Sequence, residues 1–239
     1  MLPRLVGIAL GAAVAWQTAA HLPLGRGYAL AGPAFAMVLL LTALVAERLT
    51  PRAATTGPRT ASLTVRRIRD YLPVYPTWVA GLGTVLLIAL LTATTAVGVA
   101  DDLGRAGRAI SNRCGDGLQT NTPWPGSYYS IPILIATAAC LALAFVALQT
   151  VTRRPRFAGD DVARRRAGEV IISGYGIAVL TPLAGVALAA VNGAMTVRCV
   201  DQDPGIGLPQ TVAAVAAVGV VVFWAYLVSV LLFGRKVRA

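Results

Sequence analysis

The sequence predicts an all-α integral membrane protein, a helical bundle of six transmembrane helices built from three helical hairpins. Composition is the first observation behind this fold class. Of the 239 residues, 56% are hydrophobic and 13% are charged, whereas roughly a quarter of the residues are charged in soluble domains. The second observation is a set of six uncharged hydrophobic runs, each about as long as the roughly 20 residues that cross a bilayer as a helix.

The runs occupy residues 5–22, 28–46, 77–100, 131–151, 170–192 and 211–233. We expect each to be helical, because a segment surrounded by lipid must satisfy its own backbone hydrogen bonds. A transmembrane β-barrel would instead need alternating segments of roughly ten residues, and the sequence has none. Paired in chain order, the runs predict hairpins in residues 1–50, 77–152 and 153–239.

The first run has two interpretations. Arg4 precedes it, and residues 17–21 loosely resemble the cleavage region of a signal peptide. The run is nevertheless long enough to cross a membrane, and the short turn at residues 23–27 leads directly into the second run. We expect a retained hairpin.

Basic residues predict the orientation. Sixteen of the 21 arginine and lysine residues fall on the side of the chain termini, and five fall on the other side, namely Arg26, Arg105, Arg108, Arg113 and Arg198. Because cytoplasmic loops are enriched in these residues, both termini and the basic tail should be cytoplasmic, with loops 101–130 and 193–209 outside. The net charge is +11, and the basic residues lie between the apolar runs. This placement favours a lipid bilayer over nucleic acid as the partner.

The cytoplasmic segment 51–76 contains a predicted interfacial helix. Val65, Ile68, Tyr71 and Leu72 follow helical spacing with arginines between them, which is typical of a short amphipathic helix at a membrane surface. The arginine-rich bias, with Lys236 as the single lysine, indicates a GC-rich bacterial genome. The expected location is therefore the plasma (inner) membrane of a bacterium, as a multi-pass protein.

The order of charged residues, hydrophobic run and cysteine occurs twice in the chain. Arg66, Arg67 and Asp70 precede the third run as Arg165, Arg166 and Glu169 precede the fifth, and each of these runs leads to a Cys-x-Asp element in an outer loop. Duplication explains this internal repeat, but the ordinary alternation of hairpins explains most of it as well.

The three cysteines carry the sharpest expectation. Cys114 and Cys199 both fall on the predicted outer, oxidising side, whereas Cys140 lies within the fourth run. We expect a disulfide between Cys114 and Cys199; two free thiols or an intermolecular bridge are the alternatives. A Cys-x-x-Cys motif is missing from the sequence, which disfavours thiol redox catalysis.

No catalytic, metal-binding or cofactor-binding motif is recognisable, so we expect neither an enzyme nor a cofactor. The outer aspartates and His21 are interpreted as solvated or interfacial groups, and Trp78, Trp124, Tyr128 and Tyr129 as interfacial aromatics. The runs contain no aspartate, glutamate, lysine or arginine that would mark an ion pathway. Candidate polar residues for a cavity are Thr94, Gln149 and Tyr175.

These features favour a non-catalytic accessory, sensor or scaffold protein with a membrane-protein partner or a second copy of itself. A small transporter or permease subunit is the alternative, and a membrane-embedded enzyme comes third.

Two segments carry a resemblance. Residues 61–73, and Arg164 to Arg166 followed by the span containing residues 182–187, are similar to segments of actinobacterial polytopic membrane proteins that have no established activity. The resemblance implies a bacterial membrane protein and assigns no functional residue.

Overall fold

The computed structural model describes residues 2–49, 68–115, 117–153, 160–199 and 208–233. Its helices are α1 (Leu2–His21), α2 (Arg26–Leu49), α3 (Val74–Val97), α4 (Ser127–Arg153), α5 (Asp160–Thr196) and α6 (Leu208–Phe233). Short 3-10 turns occupy Pro23–Gly25 and Ile68–Tyr71, and two strands, β1 (Ile110–Cys114) and β2 (Gly117–Asn121), lie between α3 and α4.

Four of the described helical segments are long and apolar enough to cross a membrane, namely Pro23–Ala46, Val74–Val97, Ser127–Arg153 and Asp161–Thr196. The described apolar stretches of α1 and α6, Leu5–His21 and Val220–Leu232, are shorter. The chain is therefore a mostly helical membrane protein. The expectation of six spans in three hairpins stays a prediction.

Helix α5 is the centre of the bundle. It has 37 residues, which corresponds to about 55 Å at 1.5 Å per residue, and it packs against α2, α3, α4 and α6. All residues from 171 to 180 are buried. A helix that is apolar on all sides is typical of a fully surrounded position, and α5 has this character from Val170 onward, after a charged first part.

Glycines allow the helices to approach closely, as small residues do in membrane bundles. A Cβ atom at Gly176 would lie 2.4 Å from Leu227 of α6, and one at Gly32 would lie 2.4 Å from Thr181 of α5. The core around these contacts is almost wholly apolar and includes Leu39, Leu40, Leu87, Leu91, Ile133, Cys140, Val179 and Leu227.

Helix α1 packs along α2. Gly7 and Gly11 face Thr42 and Phe35, and a Cβ at Gly27 would lie 2.3 Å from the backbone oxygen of Thr18. The backbones therefore nearly touch where the chain turns between the two helices. The retention of the first run stays a prediction.

Two features differ from the sequence expectation. The fold departs from all-α, because the predicted outer loop 101–130 contains the β1–β2 hairpin, whose short polar strands give no hydrophobic signal. Helix α4 also begins at Ser127, before the uncharged run predicted from residue 131. Most of the predicted interfacial helix lies outside the described residues; its end, Ile68–Tyr71, forms a 3-10 turn.

Replacing Gly27 by alanine should test the α1–α2 packing. The added methyl group would meet rigid backbone, and overpacking of this kind costs roughly 1–3 kcal/mol. The Tm of the purified protein in detergent should fall. The matched control is Gly81→Ala on α3, where nothing lies within 4 Å; it should leave the Tm unchanged or raise it slightly, because alanine favours helix. Equal Tm values for the two variants would contradict the packed hairpin.

Candidate functional site

Residues 98–126, which connect α3 to α4, fold into a small unit that we call the cap. Val99 pairs with Ala109, and β1 pairs with β2 in an antiparallel register that places Cys114 opposite Gly117. The turn between the strands starts at Gly115, whose φ of +56° is readily adopted by glycine. Asp116 lies outside the described residues.

A disulfide joins the cap to the end of α5. Cys114 ends β1 and Cys199 follows α5 by three residues; their Cα atoms are 5.2 Å apart. This separation suits a disulfide, and the expected Cys114–Cys199 pairing is confirmed. The bond links positions 85 residues apart, and chain-entropy models assign about 4–5 kcal/mol to a crosslink over such a loop.

Three further contacts hold the cap on α5. The Asn112 side-chain amide donates a 3.1 Å hydrogen bond to the Val197 carbonyl. The Asn121 amide donates to the Thr196 hydroxyl. The Trp124 ring lies directly against Gly193, where a Cβ would be 2.8 Å from it. The cap is therefore attached to the last turns of α5 at several points along its length.

Trp124 also attaches the cap to α3. The side chain is 4% exposed, and its indole Nε1 donates to the Thr94 carbonyl at 2.8 Å. The Thr94 hydroxyl donates in turn to the Pro125 carbonyl at 2.7 Å. The last carbonyls of a helix have no hydrogen-bond donor within the helix. Trp124 therefore supplies the donor that the Thr94 carbonyl of α3 lacks. Trp124 is therefore buried against protein, and its expected position at the membrane interface stays a prediction.

Inside the cap, Asp101 accepts four hydrogen bonds. Arg105 Nε donates at 2.7 Å and Arg108 Nη1 at 2.8 Å, and the backbone amides of Leu103 and Arg105 donate to the other oxygen. Burial raises the pKa of Asp101, but the hydrogen bonds from Arg108 and Arg105 outweigh it and hold the pKa well below its ordinary range. Asp101 is thus a buried, paired carboxylate and not a solvated loop charge.

The predicted cavity residues lie at different levels of the bundle. Thr94 is near the cap. The Tyr175 hydroxyl pairs with Thr84 at 2.9 Å, ten residues before Thr94 on α3 and so about 15 Å away along the helix. Gln149 lies near the opposite end of α4. Two apolar cavities of the described chain are lined by other residues.

The sequence interpretation missed the role of Arg164, which it counted only among the cytoplasmic basic residues. The side chain is 1% exposed, and its Nη1 lies 3.3 Å from the Val151 carbonyl and 3.4 Å from the Thr152 carbonyl, at the end of α4. A cation is favourable there because the carboxyl end of a helix is electronegative. The sequence did offer one signal for this role, because Arg164 follows the predicted fourth run, which ends at residue 151.

The described part of the chain contains no group of three or more His, Cys, Asp or Glu side chains that could hold a metal ion. Asp201 and Asp203 lie outside that part. Comparison with family models, curated proteins and solved structures finds no match.

Replacing Asp101 by asparagine should loosen the cap and lower the Tm by a few degrees, because Arg105 and Arg108 lose their shared anion. A depressed pKa means that the stabilisation is fully present above the unfolded-state value of 3.8 and is lost as the pH falls toward the folded-state value.

The Tm difference between wild type and Asp101→Asn, followed from pH 7 downward, should accordingly be constant to about pH 4 and then shrink. Asp102→Asn, at the exposed neighbouring position, is the control and should match wild type throughout. A difference that grows on acidification would contradict the assignment.

Proposed function

We propose that the chain is a non-catalytic accessory or scaffold protein of a bacterial inner membrane, with six spans in three hairpins and cytoplasmic termini. The cap presents a fixed outer surface to another membrane protein or to a second copy of the chain. One observation carries the proposal: the cap is attached to α5 by a disulfide and by contacts from Asn112, Asn121 and Trp124.

A fixed surface is useful for binding because its conformational entropy has already been lost before the partner arrives. The cap also exposes apolar side chains among polar ones. Leu103 is 71% exposed and Leu118 on β2 is 68% exposed. Large exposed apolar residues on an otherwise polar surface are suited to a protein contact.

The centre of the bundle supports an accessory role over transport. Cys140 is fully buried, and its thiol faces the Pro33 carbonyl of α2 at 3.4 Å. Leu39, Leu87 and Ile133 are also almost completely buried in this region. A transport pathway through this region would need a water-filled space or an ionisable lining, and close apolar packing provides neither.

Photocrosslinking in native membranes would test the proposal. A photoreactive amino acid at Leu118, on the cap, should give a discrete protein adduct. The control position is Val85 on α3, which is 64% exposed within an apolar segment that can cross the membrane; it should give lipid adducts. The Leu118 adduct should weaken strongly after Cys199→Ser, because the cap is then no longer covalently held. A cap position that yields no protein adduct would contradict the proposal.

A further inference from the structure

Two arginines surround one tyrosine ring at the cap end of the bundle. Arg26 is the first residue of α2, and its guanidinium carbon lies 3.7 Å from the ring centroid of Tyr128, the second residue of α4. Its Nη2 also donates to the Tyr128 carbonyl at 3.3 Å. Arg108 of the cap approaches the same ring at 5.8 Å. The ring thus holds two cations close to each other.

The positive charge of this cluster is not balanced by the described residues. Asp101 already accepts hydrogen bonds from both Arg105 and Arg108, and no carboxylate of the described chain forms an ion pair with Arg26. The Nε atoms of Arg26 and Arg108 are both buried and have no acceptor in the protein. Buried donors without an acceptor are rare, so two in one cluster point to an anionic ligand.

An apolar cavity of about 200 Å³ begins beside the cluster. Gly25 and Tyr129, the chain neighbours of Arg26 and Tyr128, line it together with Trp124 of the cap and Val186 of α5. The cluster itself lies at the start of two membrane-length helices, which is the depth of the lipid headgroups. The amino ends of those helices add further positive potential.

We propose that Arg26, flanked by Arg108, binds the phosphate group of a membrane phospholipid, with the start of an acyl chain in the neighbouring apolar cavity. The planar guanidinium fork matches phosphate oxygens and remains charged at any physiological pH. The juxtaposition of cations and apolar cavity favours a lipid over a free anion. The proposal does not depend on the cap having a protein partner.

Native mass spectrometry of the purified full-length protein would test this, with three probes titrated in turn. Phosphatidylglycerol carries the phosphate and two acyl chains, diacylglycerol with the same chains lacks the phosphate, and inorganic phosphate lacks the chains. We expect phosphatidylglycerol to bind at least about tenfold more tightly than either of the others, which corresponds to about 1.4 kcal/mol.

Arg26→Gln should weaken phosphatidylglycerol binding about tenfold or more, because a charge-assisted hydrogen bond to phosphate is lost. Arg113→Gln is the matched control, since Arg113 is an exposed arginine of β1 in the same cap; binding should not change. Arg26→Lys keeps the charge and should retain intermediate affinity. The comparison of the three probes on wild-type protein needs no variant and so does not depend on how well Arg26→Gln folds.

Equal binding of diacylglycerol and phosphatidylglycerol would overturn the proposal, because the phosphate would then contribute nothing. Inorganic phosphate binding as tightly as the lipid would overturn the lipid assignment. Wild-type affinity in Arg26→Gln would remove Arg26 from the site.

Discussion

The covalent bond between Cys114 and Cys199 joins the cap to α5, the helix against which four others pack. Because residues 171–180 of α5 are all buried in the bundle, this helix gives the cap a rigid support. Contacts that are individually modest, such as the hydrogen bond from Asn112 to Val197, then form between groups already held in place. The buried Asp101 and the Trp124 indole lie within the unit that this bond fixes.

Both ends of the bundle solve the same physical problem, the unpaired carbonyls at the end of a helix. At the cap end, the Trp124 indole donates to Thr94 of α3. At the opposite end, the Arg164 guanidinium reaches the carbonyls of Val151 and Thr152 on α4. In each case the donor comes from a different part of the chain, so satisfying a helix end also fixes how neighbouring elements pack.

The sequence predicted those features that depend on local composition. Uncharged runs located the helices, and assigning two cysteines to one side of the membrane predicted the disulfide. The β1–β2 hairpin escaped notice because short polar strands resemble a loop. The burial of Trp124 and Arg164 was not predicted, because a residue's type indicates only its usual surroundings, whereas their burial follows from contacts with other elements of the fold. Thr94, Gln149 and Tyr175 were grouped because all three are polar, although they lie on different helices at different levels of the bundle.

Thiol labelling in intact cells tests the cap most directly. Before reduction, Cys114, Cys199 and Cys140 should all fail to react with a membrane-impermeant maleimide, the first two because they are bonded and the third because it is buried. After mild reduction, Cys114 and Cys199 should react and Cys140 should remain unlabelled. Labelling of Cys114 and Cys199 in unreduced cells would show that the bond is absent and that the cap is not covalently held on α5.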